Sequence, residues 1–180
     1  MAAGRGAGRR LHVGFAVLLV LAVGAVSVAG CAKAKAKTLD VPATQSAVGG
    51  VVADRVGVAA GATSCPGEIP QGKGTVSACT VTLAKGVGVV RVQVRQVDDD
   101  AKLDVRLLDA VIDRAKVAAD LRSRLKASFK RSFQVDCGTG KRVVKPGGRF
   151  KCAARDKNGR RAVLVTVRDA AGTLTFAVLS

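Results

Sequence analysis

The chain repeats itself, and each repeat carries two cysteines. At an offset of 73 residues, with no gap, Gly74 corresponds to Gly147 and Cys79 to Cys152. The upstream cysteines, Cys65 and Cys137, are offset by 72, so the second repeat has one extra residue between its cysteines. The matched positions beyond the second cysteine are Gly86, Val90, Val92, Val94 and Arg95 against Gly159, Val163, Val165, Val167 and Arg168. A period of this length predicts two tandem structural units.

Each repeat has the pattern of one helix followed by a small sheet. In the second repeat, apolar residues recur every three or four positions over about residues 107–130, which predicts an amphipathic helix. The first helix is expected at about residues 43–56 and is weaker, because Gly49 and Gly50 interrupt it. The buried face expected for the second helix consists of Val111, Ala115, Ala118, Leu121, Leu125 and Phe129.

Alternation of apolar and polar residues predicts the strands. Valines alternate with polar residues over residues 90–95, and apolar residues alternate with basic ones over residues 149–155. Turn residues at 156–159 and 170–172 separate the last strands, and Asp98–Asp100 fits a turn better than a calcium site. The sequence therefore predicts an α+β fold with two tandem small modules, at residues 42–106 and 107–180. Each is expected to be a helix packed on a three- to four-stranded antiparallel sheet.

The first thirty residues have the organisation of an export signal. Arg5, Arg9 and Arg10 precede an almost wholly apolar stretch that ends in small residues before Cys31. Residues 28–31, Val-Ala-Gly-Cys, resemble a bacterial lipobox, which implies cleavage after residue 30 and lipidation of Cys31. The alternative is an uncleaved anchor, because about 19 apolar residues can span a bilayer. Both interpretations place the rest of the chain at the outer face of the cell membrane, with residues 31–41 as a flexible basic tether.

The other four cysteines of such a small exported chain predict two disulfides. Four cysteines allow three pairings, and the repeat selects Cys65–Cys79 and Cys137–Cys152, because each module then carries the same bond. Loops of about 15 residues closed in this way stabilise a fold by roughly 3 kcal/mol. The alternatives are a zinc site made of all four thiolates and a redox-active pair, and both favour closer spacing.

The residues around the cysteine pairs resemble a known family. The first repeat has Ser64-Cys65-Pro66, then Gly74 and Cys79-Thr80-Val81, and the second has Asp136-Cys137-Gly138, then residues 147–152. This pattern is similar to domain-of-unknown-function family 4333, in two copies over about residues 41–180. The family consists of small modules of actinobacterial lipoproteins and membrane proteins. The resemblance implies an architecture, disulfides and a location, but no activity or ligand. Gly138 departs from the pattern, since proline is usual there.

The composition excludes several classes of function. His12 is the only histidine and lies in the segment expected to be removed, so Ser-His-Asp and Cys-His hydrolases and histidine-liganded zinc sites are excluded. No Walker, GxSxG, HExxH or GxGxxG motif occurs. Tyr and Trp are absent, which disfavours binding of single-stranded nucleic acid. We therefore predict a non-enzymatic protein without a cofactor, a metal or a nucleic-acid partner.

Positive charge is concentrated in the second repeat. The whole chain has 30 basic and 13 acidic residues, a net charge of +17. Residues 31–110 hold 10 basic and 8 acidic side chains, whereas residues 111–180 hold 17 and 5. The candidate anion-binding residues are Lys141, Arg142, Lys145, Arg149, Lys151, Arg155, Arg160 and Arg161. The expected role is binding or scaffolding at the cell envelope, with an anionic polymer, lipid headgroups or another envelope protein as partner. The alternatives are a protein-interaction subunit of a membrane complex and, less favoured, an enzyme.

Overall fold

The structure is a computed structural model and describes residues 37–179. The expected signal sequence, the lipobox-like residues with Cys31 and most of the expected tether lie outside the described residues. The described residues belong to one compact unit. The elements are α1 Val41–Val56, β1 Ala60–Ser64, β2 Val76–Leu83, β3 Gly88–Gln96, β4 Leu103–Leu107, β5 Ala110–Asp113, α2 Arg114–Phe129, β6 Gln134–Asp136, β7 Lys141–Val144, β8 Arg149–Asp156, β9 Gly159–Val167 and β10 Leu174–Leu179.

The strands form three antiparallel sheets. The first sheet has the order β1-β2-β3-β4, and the second has the order β6-β8-β9-β10. A third sheet pairs only β5 with β7. The prediction of an α+β fold with two helices and antiparallel sheets is confirmed. We call α1 with the first sheet the first module, and α2 with the second and third sheets the second module.

The two helices are built alike. Each has 16 residues, and each follows an aspartate whose carboxylate accepts hydrogen bonds from the first turn: Asp40 from the amide of Ala43 at 2.7 Å, and Asp113 from that of Ala115 at 3.0 Å. Both end at a residue in the left-handed conformation, Gly57 in α1 and Lys130 in α2. Caps at both ends therefore fix the same helix length at an offset of 73 residues.

The helix predicted over residues 107–130 is shorter than expected. Leu107 ends β4, and Val111 lies in β5, where it pairs with Val143. The Asp113 cap stops the helix from extending further back, and the β-branched residues before it favour a strand. The predicted helical face is correct at Ala118, Leu121 and Leu125, which are buried, and wrong at Val111, Ala115 and Phe129, since Ala115 and Phe129 are exposed.

The gapless repeat is wrong beyond the second cysteine of each module. Leu83 pairs with Gly88, and Asp156 pairs with Gly159, so the β2–β3 turn has four residues and the β8–β9 turn has two. Val163 is therefore the counterpart of Val92, not of Val90, and the offset falls from 73 to 71. A shift of two residues keeps every side chain on the same face, which explains why the sequence showed no gap.

Each helix packs on its sheet over a valine-rich core, and each core contains a disulfide. Val48 and Val52 of α1 join the buried valines of β2 and β3, while Leu121 and Leu125 of α2 join those of β9. The predicted disulfides are confirmed: Cys65 bonds to Cys79, and Cys137 bonds to Cys152. In each pair the second cysteine lies in a central strand of its sheet, β2 in the first module and β8 in the second.

The two modules pack against each other through the third sheet. The Val143 amide of β7 donates to the Val87 carbonyl of the β2–β3 turn at 3.0 Å, and both Val111 and Val143 contact the first core. A side chain at Gly88 would meet the Val143 side chain at 3.2 Å, at a φ of 127°, so only glycine allows this approach. The junction thus depends on residues of both modules.

The first module contains a reduced version of the third sheet. Thr38 forms a bridge with Pro70, and the Leu39 amide donates to the Ile69 carbonyl at 2.9 Å. Thr38 and Pro70 lie 73 positions before Val111 and Val143, which also form an antiparallel pair in the second module. Leu39 is buried, so the folded part of the chain begins before residue 41, inside the segment expected to be a tether.

Candidate functional site

The eight predicted anion-binding residues lie on β7, β8, β9 and their connections. Lys141 and Arg142 are in β7, and Lys145 is in the connection to β8. Seven of the eight are exposed, and Lys141 is half-buried. Within residues 37–179 the ion pairs are Arg91–Asp109, Arg124–Asp120 and Arg131–Asp156, so none of the eight has an acidic partner there. The structure divides seven of these cations between two surfaces, and Arg161 lines a recess beside the first of them.

The first surface is the face of the second sheet that points away from α2. Because side chains alternate along β8, Arg149, Lys151 and Arg155 lie on this face, while Cys152 and Ala154 face the core. Arg160 of β9 pairs directly with Arg155 and extends the series. We call Arg149, Lys151, Arg155 and Arg160 the strand row. Like charges placed opposite each other on a sheet repel, and a bound anion would relieve this repulsion.

One further feature adjoins the strand row. Lys151, Arg160 and Arg161 line a shallow recess of about 570 Å³ beside the Cys137–Cys152 disulfide. Asp136 lines the same recess, and its carboxylate accepts a hydrogen bond from the Gly138 amide at 2.7 Å. The recess therefore combines several cations with one carboxylate whose side chain also shapes the loop after β6.

The second surface is an open groove between the two modules. It has a volume of about 1040 Å³ and is lined by five cations: Lys85, Arg114, Lys141, Arg142 and Lys145. Three of them belong to the predicted set. Lys85 comes from the β2–β3 turn of the first module, and Arg114 is the first residue of α2. We call this feature the intermodule groove.

One carboxylate lines the intermodule groove, and it is already paired. Asp109 is buried, and its Oδ2 accepts from the Arg91 backbone amide at 3.0 Å and from the Arg91 Nε at 2.9 Å. The Arg91 Nη2 donates to Oδ1 at 2.6 Å. These hydrogen bonds hold the pKa of Asp109 below its usual value. Because Arg91 compensates this charge, the five cations of the groove have no free carboxylate beside them in the described lining.

Lys141 has a structural role in the groove. Its Nζ donates to the carbonyl oxygens of Val56 at 2.6 Å and Gly57 at 3.1 Å, at the end of α1. A cation is stabilised there by the unpaired carbonyls and by the helix dipole. Lys141 therefore fastens the second module to the first, while Lys85, Arg114, Arg142 and Lys145 supply most of the charge for a ligand.

The sequence pointed to neither Lys85 nor Arg114 as a site residue. Lys85 lies in the nearly neutral first module, and Arg114 was expected in the middle of a longer helix. Only the packing of the modules brings them to Arg142 and Lys145. The positive φ of Lys85, 58°, marks a turn in the structure, but a lysine gives no such signal in a sequence.

The acidic run forms a turn, as expected. The Asp98 carboxylate accepts hydrogen bonds from the amides of Asp100, at 3.1 Å, and Lys102, at 2.9 Å, between β3 and β4. Among the described residues, no three His, Cys, Asp or Glu side chains are grouped so that they could hold a metal ion. Neither α1 nor α2, the helices of residues 37–179, is long and apolar enough to cross a membrane.

Comparison with known proteins gives one family match. Residues 103–172 match the family model of a domain of unknown function, DUF4333. The matched segment runs from the start of β4 to the turn before β10 and includes α2, the Cys137–Cys152 disulfide and the whole strand row. This supports the family resemblance for the second repeat. No curated protein and no solved structure matches the chain.

Proposed function

We propose that this chain is a lipid-anchored, extracytoplasmic, non-enzymatic protein that binds anionic components of the cell envelope. The basic surface of the second module is the proposed contact. The observation that carries the proposal is the set of eight cations on β7–β9, seven of them exposed and none with an acidic partner among the described ion pairs. Cations concentrated in this way attract anionic ligands over a distance of about one Debye length, roughly 10 Å.

The proposed location depends on the N-terminal sequence. The basic start, the apolar stretch and the lipobox-like residues before Cys31 together favour export and lipidation. Two disulfides in a compact unit this small are typical of proteins in oxidising compartments. A lipid anchor would also keep the basic surface close to the envelope polymers and headgroups that it is proposed to bind.

The titratable groups give no reason to prefer an enzyme. In the described part of the chain, the carboxylates with a shifted pKa are Asp109 and Asp169, and both pKa values are lowered. Arg91 explains the first shift, and hydrogen bonds from Thr173 in the β9–β10 turn explain the second. A general acid or base working near neutral pH would need a shift in the opposite direction.

The proposal can be tested with soluble protein from Ala32 to Ser180, which contains the whole compact unit. It would be titrated with anionic vesicles and with isolated cell-wall polymer, at about 50 and about 300 mM salt. The comparison is a variant with glutamine at five candidate positions: Arg149, Lys151, Arg155, Arg160 and Arg161. We expect binding that weakens steeply with salt and is reduced in the variant. An absence of binding at both salt concentrations would refute the proposal.

A second candidate function is protein interaction, and the edge of the second sheet favours it. β10 pairs only with β9 among the described strands, and Val178 on it is 45% exposed. An open edge with an exposed apolar side chain can accept a strand from a partner. Binding to an envelope protein that survives high salt would favour this function, because screening weakens charge contacts and leaves apolar ones.

A further inference from the structure

We propose that the intermodule groove is the principal anion site, and that its ligand is a strand of a phosphate-bearing polymer. This rests on the proposed function and adds the place and the chemical class of the ligand. The groove is the point where cations of both modules converge: Lys85 from the first, and Arg114, Arg142 and Lys145 from the second. The strand row, in contrast, belongs to one sheet face.

The shape of the groove favours a polymer strand over a bilayer. A recess of about 1040 Å³ between two modules admits a chain but cannot follow a flat membrane surface. The same concavity raises the potential, because a cleft lined by charges of one sign focuses the field between its low-dielectric walls. An anionic strand in the groove therefore meets several cations at once, whereas a strand on the row meets them on one side only.

The chemistry of the lining favours phosphate groups. Arg114 and Arg142 provide guanidinium groups, which bind phosphate oxygens in a bidentate manner. Lys85 and Lys145 add point charges on the same lining. The described lining holds no aromatic side chain on which a sugar or a base could stack. Recognition would therefore act on the repeating charges of the strand rather than on its uncharged groups.

The backbone of the lining leaves room for such a strand. Four glycines line the groove, and three of them, Gly57, Gly86 and Gly140, adopt positive φ values between 60° and 72°. Side chains at Gly86 and Gly140 would meet no atom within 4 Å, so these positions are open to solvent. A ligand can approach the peptide groups there without displacing a side chain.

The test uses short-chain inorganic polyphosphate as the probe, with protein from Ala32 to Ser180. The groove variant carries Arg142→Gln and Lys145→Gln, and the matched control carries Arg122→Gln and Lys126→Gln on the exposed face of α2. Both lose two positive charges from the second module. We expect the groove variant to bind roughly tenfold more weakly and the control to lose less than about threefold. Thermal unfolding checks that both variants remain folded.

A second comparison tests the contribution of the first module. Lys85→Gln removes a groove cation, and Lys73→Gln removes an exposed lysine of the same module that lies outside the groove. Only Lys85→Gln should weaken polyphosphate binding, by about threefold. It should also lower the slope of log affinity against log salt by about one, since one fewer counterion is released. If only the total charge matters, Lys85→Gln and Lys73→Gln should weaken binding and lower the salt slope equally.

The outcomes separate this inference from the proposed function. If the groove variant and its control lose the same affinity for polyphosphate, the groove is not the site. The proposed function would still stand, because the unchanged protein binds the polyanion. Binding to phosphatidylglycerol vesicles without binding to polyphosphate would overturn the polymer strand and leave a membrane-binding surface. If the unchanged protein binds neither probe nor isolated cell-wall polymer, both proposals fail.

Discussion

The two modules share one fold but differ in charge at the same positions. The strand row Arg149, Lys151, Arg155 and Arg160 corresponds to Val76, Ala78, Thr82 and Val89 of the first sheet. These four uncharged residues lie on strands of the same length as their counterparts in the second sheet, and Val76 and Val89 are about half exposed. The fold therefore does not need cations at these positions. The basic surface is therefore an addition to the architecture, and this supports the proposal that it binds a ligand.

The modules also differ in how the end of each helix contacts the β-hairpin. In the second module the Arg131 Nε lies 2.9 Å from the Asp156 Oδ2, and the guanidinium lies over the ring of Phe133 at 5.4 Å. The counterparts in the first module are Val58 and Leu83, which belong to one apolar cluster. The same joint is thus made by an ion pair in one module and by apolar packing in the other.

The largest expected effect comes from the feature that the modules share. Cys137→Ala with Cys152→Ala, or Cys65→Ala with Cys79→Ala, should each lower the free energy of unfolding by about 3 kcal/mol, because the loops have nearly equal length. Urea unfolding of both double variants measures this. A loss from one pair much larger than from the other would show that the modules are not energetically equivalent.

The next effect tests the joint between helix and hairpin. Arg131→Val alone should destabilise the protein by about 2 kcal/mol, because it leaves the Asp156 carboxylate, only 4% exposed, without its partner. Arg131→Val with Asp156→Leu copies the first module and should recover most of this loss, since apolar pairs often replace buried ion pairs without cost. Urea unfolding again provides the measurement. A double variant as unstable as the single one would mean that the two joints are not interchangeable.

A smaller effect is expected at the junction of the modules, and it depends on pH. The pKa of Asp109 is lowered in the folded state by Arg91, so the unfolded state binds the proton more readily. The stabilisation from this pair is present above the unfolded pKa, about 3.9, and is lost as the pH falls through the lower folded value. Asp109→Asn should therefore flatten the acid side of the stability profile. The variant is expected to lose less stability at pH 7 than Arg131→Val, because Arg91 is half exposed.

The profile is measured by urea unfolding between about pH 2 and pH 7. Asp136→Asn is the matched control, because its carboxylate is exposed and is not part of an ion pair among the described residues. If the unfolding free energy of Asp109→Asn falls as steeply at low pH as that of the unchanged protein, this pair does not stabilise the junction.

Local patterns were enough to predict the α+β class, the disulfides and most strands. Alternation identified the buried valines of β3, and the turn residues at 156–159 located the β8–β9 hairpin. Helical spacing gave a wrong prediction for Val111, which lies in β5. Apolar residues of a strand and of the helix that follows it can fall three or four positions apart by chance. The two-residue difference between the hairpins left no trace in the alternation, which has a period of two.

The groove could not be predicted, because it depends on contacts between residues far apart in the chain. Lys141 lies 85 residues from Val56, to whose carbonyl its Nζ donates. Neither segment has a sequence pattern that predicts this contact. In the sequence, Lys85 cannot be told from any other turn residue. Only the junction of the modules brings it into the same groove as Arg142. The strand row, in contrast, follows from alternation along β8 and needs no tertiary information beyond the β8–β9 pairing.

The smallest expected effect bears directly on the comparison of the two sheet faces. Arg155→Thr with Arg160→Val gives the second sheet the residues of the first and removes two like charges that face each other. We expect a gain in unfolding free energy of about a few tenths of a kcal/mol, largest at low salt, where repulsion is least screened. Urea unfolding at about 20 and about 300 mM salt measures it, and the matched control is Arg122→Gln with Lys126→Gln. A loss of stability in the sheet variant would mean that these arginines support the fold itself, and the basic surface could not then be regarded as an addition made for binding.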